Sequence, residues 1–383
     1  MSAPSYPFPT ANPVEPPAEF AKLREQAPVS RVTTSQGAPA WLVTRYDDVR
    51  SVLADPRMSV GIPGAPAGTE NGTLFQDPPA HTRLRRLVAK AFTVRRVEEL
   101  RPRTVRLAHQ LLDEMDSPTD LRESFAFPLP GSVIGALLGV PDDELATFRT
   151  WSDKLITLAD FEAAGAGEVY GQLMGYFSDL VDRKRRAPTE DVLSDLIAVR
   201  DEDTGRLSQH ELEMMGLILL LAGYLGTANA LSIGTIKLIE DGRLALLRDH
   251  PDKVPAAVEE VLRFQSGAAE LPRYAAADLE IAGTAIQAGD MIVPSLQAAN
   301  HDPGQFADPG SFDLDRTGRQ HLAFGHGIHH CLGAALARMQ LQVAFTALST
   351  RLPGLQLAVD LGDLRWRTNM FGDRLLEALP VRW

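Results

Sequence analysis

Between Met214 and Ile236 the chain runs 23 residues without a charged side chain. A helix rises about 1.5 Å per residue, so this run is long enough to cross a bilayer. It either spans a membrane or threads a core large enough to cover all its faces. Its contents favour the core. Gly216, Gly223, Gly226 and Gly234 interrupt it, and Thr227, Asn229, Ser232 and Thr235 stud it. It also stands alone in mid-chain, so no membrane partner is expected. With 383 residues, 44% of them hydrophobic, the chain has the apolar material for such a core. The capping box Ser208-Gln-His-Glu211 marks where the helix starts.

Elsewhere helical spacing dominates: Glu19 to Gln26, Asp47 to Ala54, His81 to Arg106, Asp252 to Phe264 and Ala334 to Thr350. Asp142 to Arg183 reads as mostly helical, with breaks at Gly165 and Gly167. Val29–Thr34 and Ala40–Thr44 predict a hairpin around Gly37, and Leu279–Ile281 and Met291–Pro294 predict short strands. Gly61 to Gly72 reads as a loop rich in Gly, Pro and Ala. No linker divides the chain. The expectation is a mainly α fold with minor β, a single domain over residues 1–383, with a Pro-rich N-terminal arm over residues 1–17. The N-terminus has neither a charged start nor an apolar run, which predicts a cytoplasmic protein. A net charge of −12 argues against nucleic acid as a partner.

The chemistry concentrates at the single cysteine, Cys331, within Phe324-Gly-His-Gly-Ile-His-His-Cys331-Leu-Gly333. Two glycines before it permit a tight loop and close backbone approach to a flat partner. Helical residues follow from Leu332, and a helix start favours a thiolate. Three readings fit: a buried structural cysteine, a zinc ligand with His326, His329 and His330, or an axial thiolate to haem iron. Zinc is the poorer match, because four ligands packed into six residues cannot easily converge on one tetrahedral centre.

Phe324, Gly325, Gly327, His329, Cys331 and Gly333 resemble the haem-binding signature of the cytochrome P450 family, whose iron is held by a cysteine thiolate. Other matches follow in family order. Glu260-Val-Leu-Arg263 resembles the family's Glu-x-x-Arg, a structural ion pair. The arginine usually near its partner segment is missing from Pro309-Gly-Ser-Phe312, and Arg316 is the candidate replacement. Asp77-Pro-Pro-Ala-His81-Thr-Arg-Leu-Arg85 resembles the helix that holds a haem propionate, with His81 and Arg85 on one face. Arg273 and His329 match further propionate contacts. The resemblance spans essentially the whole chain. It implies a helical lobe with a long central helix, a small β-rich lobe, haem b, and metal ligation by Cys331.

In Ala222-Gly223-Tyr224-Leu225-Gly226-Thr227 the pattern breaks. The family usually shows an acid where Leu225 stands and a threonine where Gly226 stands. Leu225, Gly226 and Thr227 become the candidate catalytic positions, and Ala222, Gly223 and Met370 the candidate substrate contacts. Substrate or ordered water then supplies the proton, or the oxidation departs from simple hydroxylation: coupling, ring formation, desaturation or rearrangement. The chain has neither a Gly-x-Gly-x-x-Gly fingerprint nor a Gly-Lys-Ser loop, so electrons must come from another protein. Nine Lys/Arg between His81 and Arg106, against two acids, suit an acidic ferredoxin served by a ferredoxin reductase, or form a solvated helix face. The expected function is oxidation of a bulky natural-product intermediate using dioxygen. The alternative is a non-catalytic haem-binding sensor or partner protein.

Overall fold

The computed structural model describes residues 3–10, 12, 14–61, 73–147, 150–151, 166–203, 206–265, 271–318, 320–368 and 373–383. The uncharged run lies within one helix, Gln209–Glu240, opened by the Ser208/Glu211 capping box. Its apolar residues fall on every side, and 20 of its 32 residues are buried. By length and composition it is the one helix among the described residues able to cross a membrane, yet the protein itself covers most of it. The helices Pro128–Leu138, Ala166–Arg186, Val192–Glu202, Val254–Phe264 and Ala334–Arg351 pack around it. Close packing is enforced where glycines meet large side chains. A Cβ on Gly234 would lie 2.7 Å from both Phe345 and Val261, and one on Gly216 would lie 2.8 Å from Phe177.

The β-rich part is small and mixed. Five strands lie in the order Val29–Thr33, Pro39–Val43, Met291–Pro294, Arg273–Ala275, Met58–Ser59. The hairpin around Gly37 is antiparallel, but Pro39–Val43 runs parallel to Met291–Pro294. Arg273 pairs with Ile292 on the other side of that same strand. This arrangement fixes Arg273 in the sheet and buries it. A separate three-stranded sheet joins Thr119–Asp120, Pro380–Arg382 and Gln356–Leu357.

Three expectations need adjustment. Gly167 does not break a helix; it lies in the first turn of Ala166–Arg186, where one glycine costs only about 1 kcal/mol. His81 to Arg106 falls in two helices, Ala80–Val88 and Val94–Asp113, around a short 3₁₀ turn. The Pro-rich arm is irregular but pinned. Tyr6 and Thr33 share a backbone hydrogen bond of 2.8 Å, and Tyr6, Phe8 and Phe20 pack their rings on the hairpin. The 62–72 part of the Gly61–Gly72 loop, Gly165 and Met370 lie outside the described residues.

Candidate functional site

Gly325 and Gly327 both take positive φ, at +70° and +73°, and turn the chain sharply before Cys331. At Gly327 a side chain is excluded outright: a Cβ there would lie 2.5 Å from the Leu53 carbonyl oxygen. The Cys331 amide donates to the Phe324 carbonyl at 2.8 Å, closing the loop. The following helix starts later than the sequence suggests. Ala334 is its first residue and Gly333 its N-cap, so Cys331 stands just ahead of the helix rather than at its first turn. Cys331 is an exposed free thiol. Surrounding protein still pushes the thiol pKa up, opposed by the Gly333 backbone and by the cations Arg85 and Arg338.

The helix Ala80–Val88 delivers His81 to this loop. His81 is 1% exposed, and its ring lies 4.3 Å from that of His329. Neither nitrogen of His81 has a hydrogen-bond partner, nor does Nε2 of His329. Burial lowers both histidine pKa values, that of His329 to about 4, so both rings are neutral. Buried polar groups are normally satisfied, and two adjacent histidines, their rings tilted by 45°, with three orphan nitrogens call for an absent acceptor. Arg273 adds a buried guanidinium whose bond is to the adjacent Pro272 carbonyl, 3.1 Å away. Among the described residues no carboxylate pairs with it. Arg85, one turn after His81, donates instead to the His330 carbonyl at 2.6 Å. Glycines allowing close approach, an exposed free thiol and donors lacking an anion together fit a flat, carboxylate-bearing iron macrocycle. The zinc reading finds no support: no cluster of three metal-capable side chains occurs among the described residues.

Gln76 is a residue the sequence reading missed. Its amide is buried and neither Nε2 nor Oε1 has a partner. Its only sequence signal is its position directly before Asp77-Pro-Pro, a stretch singled out for other residues.

Glu260 and Arg263 form a bidentate pair at 2.8 and 2.7 Å. Arg263 also donates to the carbonyls of Asn300, Pro309 and Ser311. Arg316 takes the place of the missing arginine: its Nε lies 3.1 Å from Glu260 Oε1, and its Nη2 reaches the Asp308 and Ser311 carbonyls. Glu260 is thus shared by two arginines and the Asp313 amide, at 3.0 Å. Burial raises its pKa, but these partners outweigh burial and leave it lowered.

On the central helix the candidate residues separate by face. Ala222 and Gly226, one turn apart, are exposed in the middle of an otherwise buried helix. A Cβ on Gly226 would meet nothing within 4 Å. Leu225 is half-buried beside them. Two readings need correction. Gly223 is a packing glycine, not an open position, since its Cβ would lie 2.7 Å from Ile134. Thr227 is buried on the same side as Gly223, with its hydroxyl directed at the Gly223 carbonyl, 3.5 Å away. Helical geometry explains the split: 222 and 226 share one face, 223 and 227 another about 100° round.

The basic segment is partly neutralised. Arg83 pairs with Glu211, Arg95 with Glu99, Arg96 with Asp195 and Arg101 with Glu98. Arg86 and Lys90 are exposed, with no ion pair among the described residues.

The model of the family described as Cytochrome P450 matches residues 253–351. A "Mycinamicin IV hydroxylase/epoxidase" of Micromonospora griseorubida is 43% identical, covering 99% of this chain and 98% of that protein. A "Nocardicin C N-oxygenase" of Nocardia uniformis subsp. tsuyamanensis is 42% identical, covering 99% and 98%. Among solved structures, CYP105P1 in complex with filipin I superposes with a TM-score of 0.93 at 37% identity, covering 100% of this chain and 99% of that one.

Proposed function

The chain belongs to the cytochrome P450 family, and from that premise we propose which residues carry its chemistry and on what it acts. It is a haem-thiolate monooxygenase that oxidises a bulky natural-product intermediate, with electrons delivered by a separate redox partner. The group supplies iron able to bind and split dioxygen once reduced. Cys331 would ligate its iron, and haem b is the form that would fit a site with carboxylate-seeking donors. His81, His329 and Arg273 would receive the propionates, with Arg85 steadying the His330 carbonyl next to Cys331. Phe324, Gly325 and Gly333 shape the loop around the ligand. The observation that carries this reading is the orphan nitrogens of His81 and of His329, two adjacent rings, the second in the Cys331 loop.

Substrate lies against Ala222 and Gly226. Without an acid at Leu225 or a hydroxyl at Gly226, this face of the helix cannot relay a proton through a side chain. Substrate or a water held by it does so, which ties productive turnover to the fit of the native substrate. The open space at Gly226 admits a rigid, bulky ring system. The relatives are a hydroxylase/epoxidase and an N-oxygenase, so an outcome other than simple C–H hydroxylation is within the family's range. An acidic ferredoxin with its reductase is the electron source, meeting the exposed Arg86 and Lys90, and the protein works in the cytoplasm.

The test is direct. The purified, reduced protein should give a thiolate-type carbon monoxide band, and Cys331→Ser should abolish it; retention of the band refutes the ligand assignment. Leu225→Glu with Gly226→Thr should weaken native-substrate binding by spin-state titration while improving coupling with small ligands. Normal binding with better coupling of the native substrate would show that these positions are not adapted to bulk.

A further inference from the structure

Glu259 and Glu260 are neighbours on the helix Val254–Phe264, but they hold different parts of the molecule. Glu260 holds Arg263 and Arg316. Glu259 takes Arg338, on the helix after Cys331, in a two-pronged grip: Nε to Oε1 at 2.7 Å and Nη2 to Oε2 at 2.9 Å. Its Oε2 also lies 3.2 Å from Nε2 of His321, ten residues before Cys331. His321 Nδ1 accepts the Ala323 amide at 3.2 Å, which puts the ring proton on Nε2, toward the carboxylate though off the hydrogen-bond axis. One carboxylate therefore clamps both flanks of the cysteine loop.

Arg338 connects this clamp to the loop itself. Its guanidinium carbon sits 4.6 Å from the centroid of the Phe324 ring, a cation–π distance. Phe324 in turn accepts the Cys331 amide through its carbonyl. A planar, permanently charged guanidinium suits both contacts, because its edge grips the carboxylate while its face covers the ring. We infer that Glu259 and Arg338 are positioning residues that set the electrostatic surroundings of Cys331: Arg338 holds a cation on the thiolate side of the loop, and Glu259 aims and neutralises it. The inference rests on Cys331 being the iron ligand. A positive charge near that ligand favours the reduced state, which carries one more electron. A carboxylate beside the cation opposes that effect.

The two charges should then act in opposite senses. The test is the reduction potential of the haem-loaded, substrate-free protein, with the carbon monoxide band recorded for each variant. Glu259→Gln leaves the cation uncompensated and should raise the potential. Arg338→Met removes the cation and should lower it. Each change should reach about tenfold in the reduction equilibrium, or about 59 mV for one electron. The double variant should return close to the parent. If both single variants shift the same way, or neither moves while the thiolate band persists, the inference fails. A merely structural clamp would shift both single variants the same way, with a common loss of the thiolate band. Should Arg338→Met not retain haem, Arg338→Lys substitutes: a potential near the parent's, with Glu259→Gln raised, supports the inference, and an unmoved Glu259→Gln overturns it. An absent thiolate band in the unmodified protein would instead refute the ligand assignment, a separate failure.

Discussion

Gly327 and Gly226 are both glycines in the candidate site, and substitution should affect them in opposite ways. At Gly327 the backbone is left-handed and a Cβ would strike the Leu53 carbonyl oxygen at 2.5 Å. Neither backbone can give way cheaply, so Gly327→Ala should cost several times the ~1–2 kcal/mol of the left-handed conformation alone and abolish haem retention. At Gly226 the backbone is helical and the Cβ site is empty. Gly226→Ala should stabilise the protein by about 0.5–1 kcal/mol, read as a raised unfolding midpoint, while shrinking the substrate space. An unchanged haem content in Gly327→Ala would contradict the first argument, and a lowered midpoint in Gly226→Ala the second. Gly327 was legible in the sequence because its spacing from Cys331 carries the loop. The difference between Gly226 and Gly223 was only half legible. Spacing puts 222 with 226 and 223 with 227, but it cannot say that Ile134, from a helix about 90 residues earlier, fills the second face.

Among the elements, the central helix and the helix Val254–Phe264 are held by different means. The first begins with Ser208 and Glu211 capping each other, and Glu211 is also gripped by Arg83. Ser208→Ala should cost about 1 kcal/mol in urea unfolding. The second carries Glu260 at its buried face, with two arginines and an amide converging on it. Glu260→Ala should be far worse, about 3–5 kcal/mol, because it strips the buried Arg263 of its bidentate carboxylate. If both substitutions cost the same, the buried network contributes nothing beyond a cap. The capping box and the Glu-x-x-Arg pair were readable because their partners lie three residues apart. Arg316 was only a candidate, since its approach depends on how an irregular stretch folds back 56 residues on. Glu259, Arg338 and His321 went unread for the same reason: no local spacing links them.

The whole molecule should be acid-sensitive in two stages. His301 is deeply buried with its Nε2 unpartnered, and burial lowers its pKa to about 3 from 6.5. The unfolded chain binds that proton first, so stability is full above pH 6.5 and falls as pH drops toward 3. Glu259, paired with His321 and Arg338 against the opposing effect of burial, is lowered to about 2 from 4.5. Its contribution is full above pH 4.5 and falls as pH drops toward 2. His301→Phe should therefore flatten the stability loss between pH 6.5 and 4.5, measured as urea midpoints at several pH values. A slope equal to the parent's would refute the assignment. Charge also acts outward at this scale. Arg86→Glu with Lys90→Glu should slow reduction by a ferredoxin at low salt but leave substrate affinity unchanged. The difference should fade as salt screens charges beyond ~8–10 Å. Equal rates at low salt would remove these residues from the docking face.

The parallel pairing of Pro39–Val43 with Met291–Pro294 bears on how the molecule is made. A ribosome releases the first strand early and its neighbour roughly 250 residues later. At about 5–20 residues per second, that delay is on the order of 12–50 s. Throughout it the hairpin edge that Met291–Pro294 will cover, at Trp41, Leu42 and Val43, stays open. The chain therefore emerges with an unfinished sheet that only its far end can complete. During synthesis, this exposed edge is where a nascent-chain binding factor would protect it most.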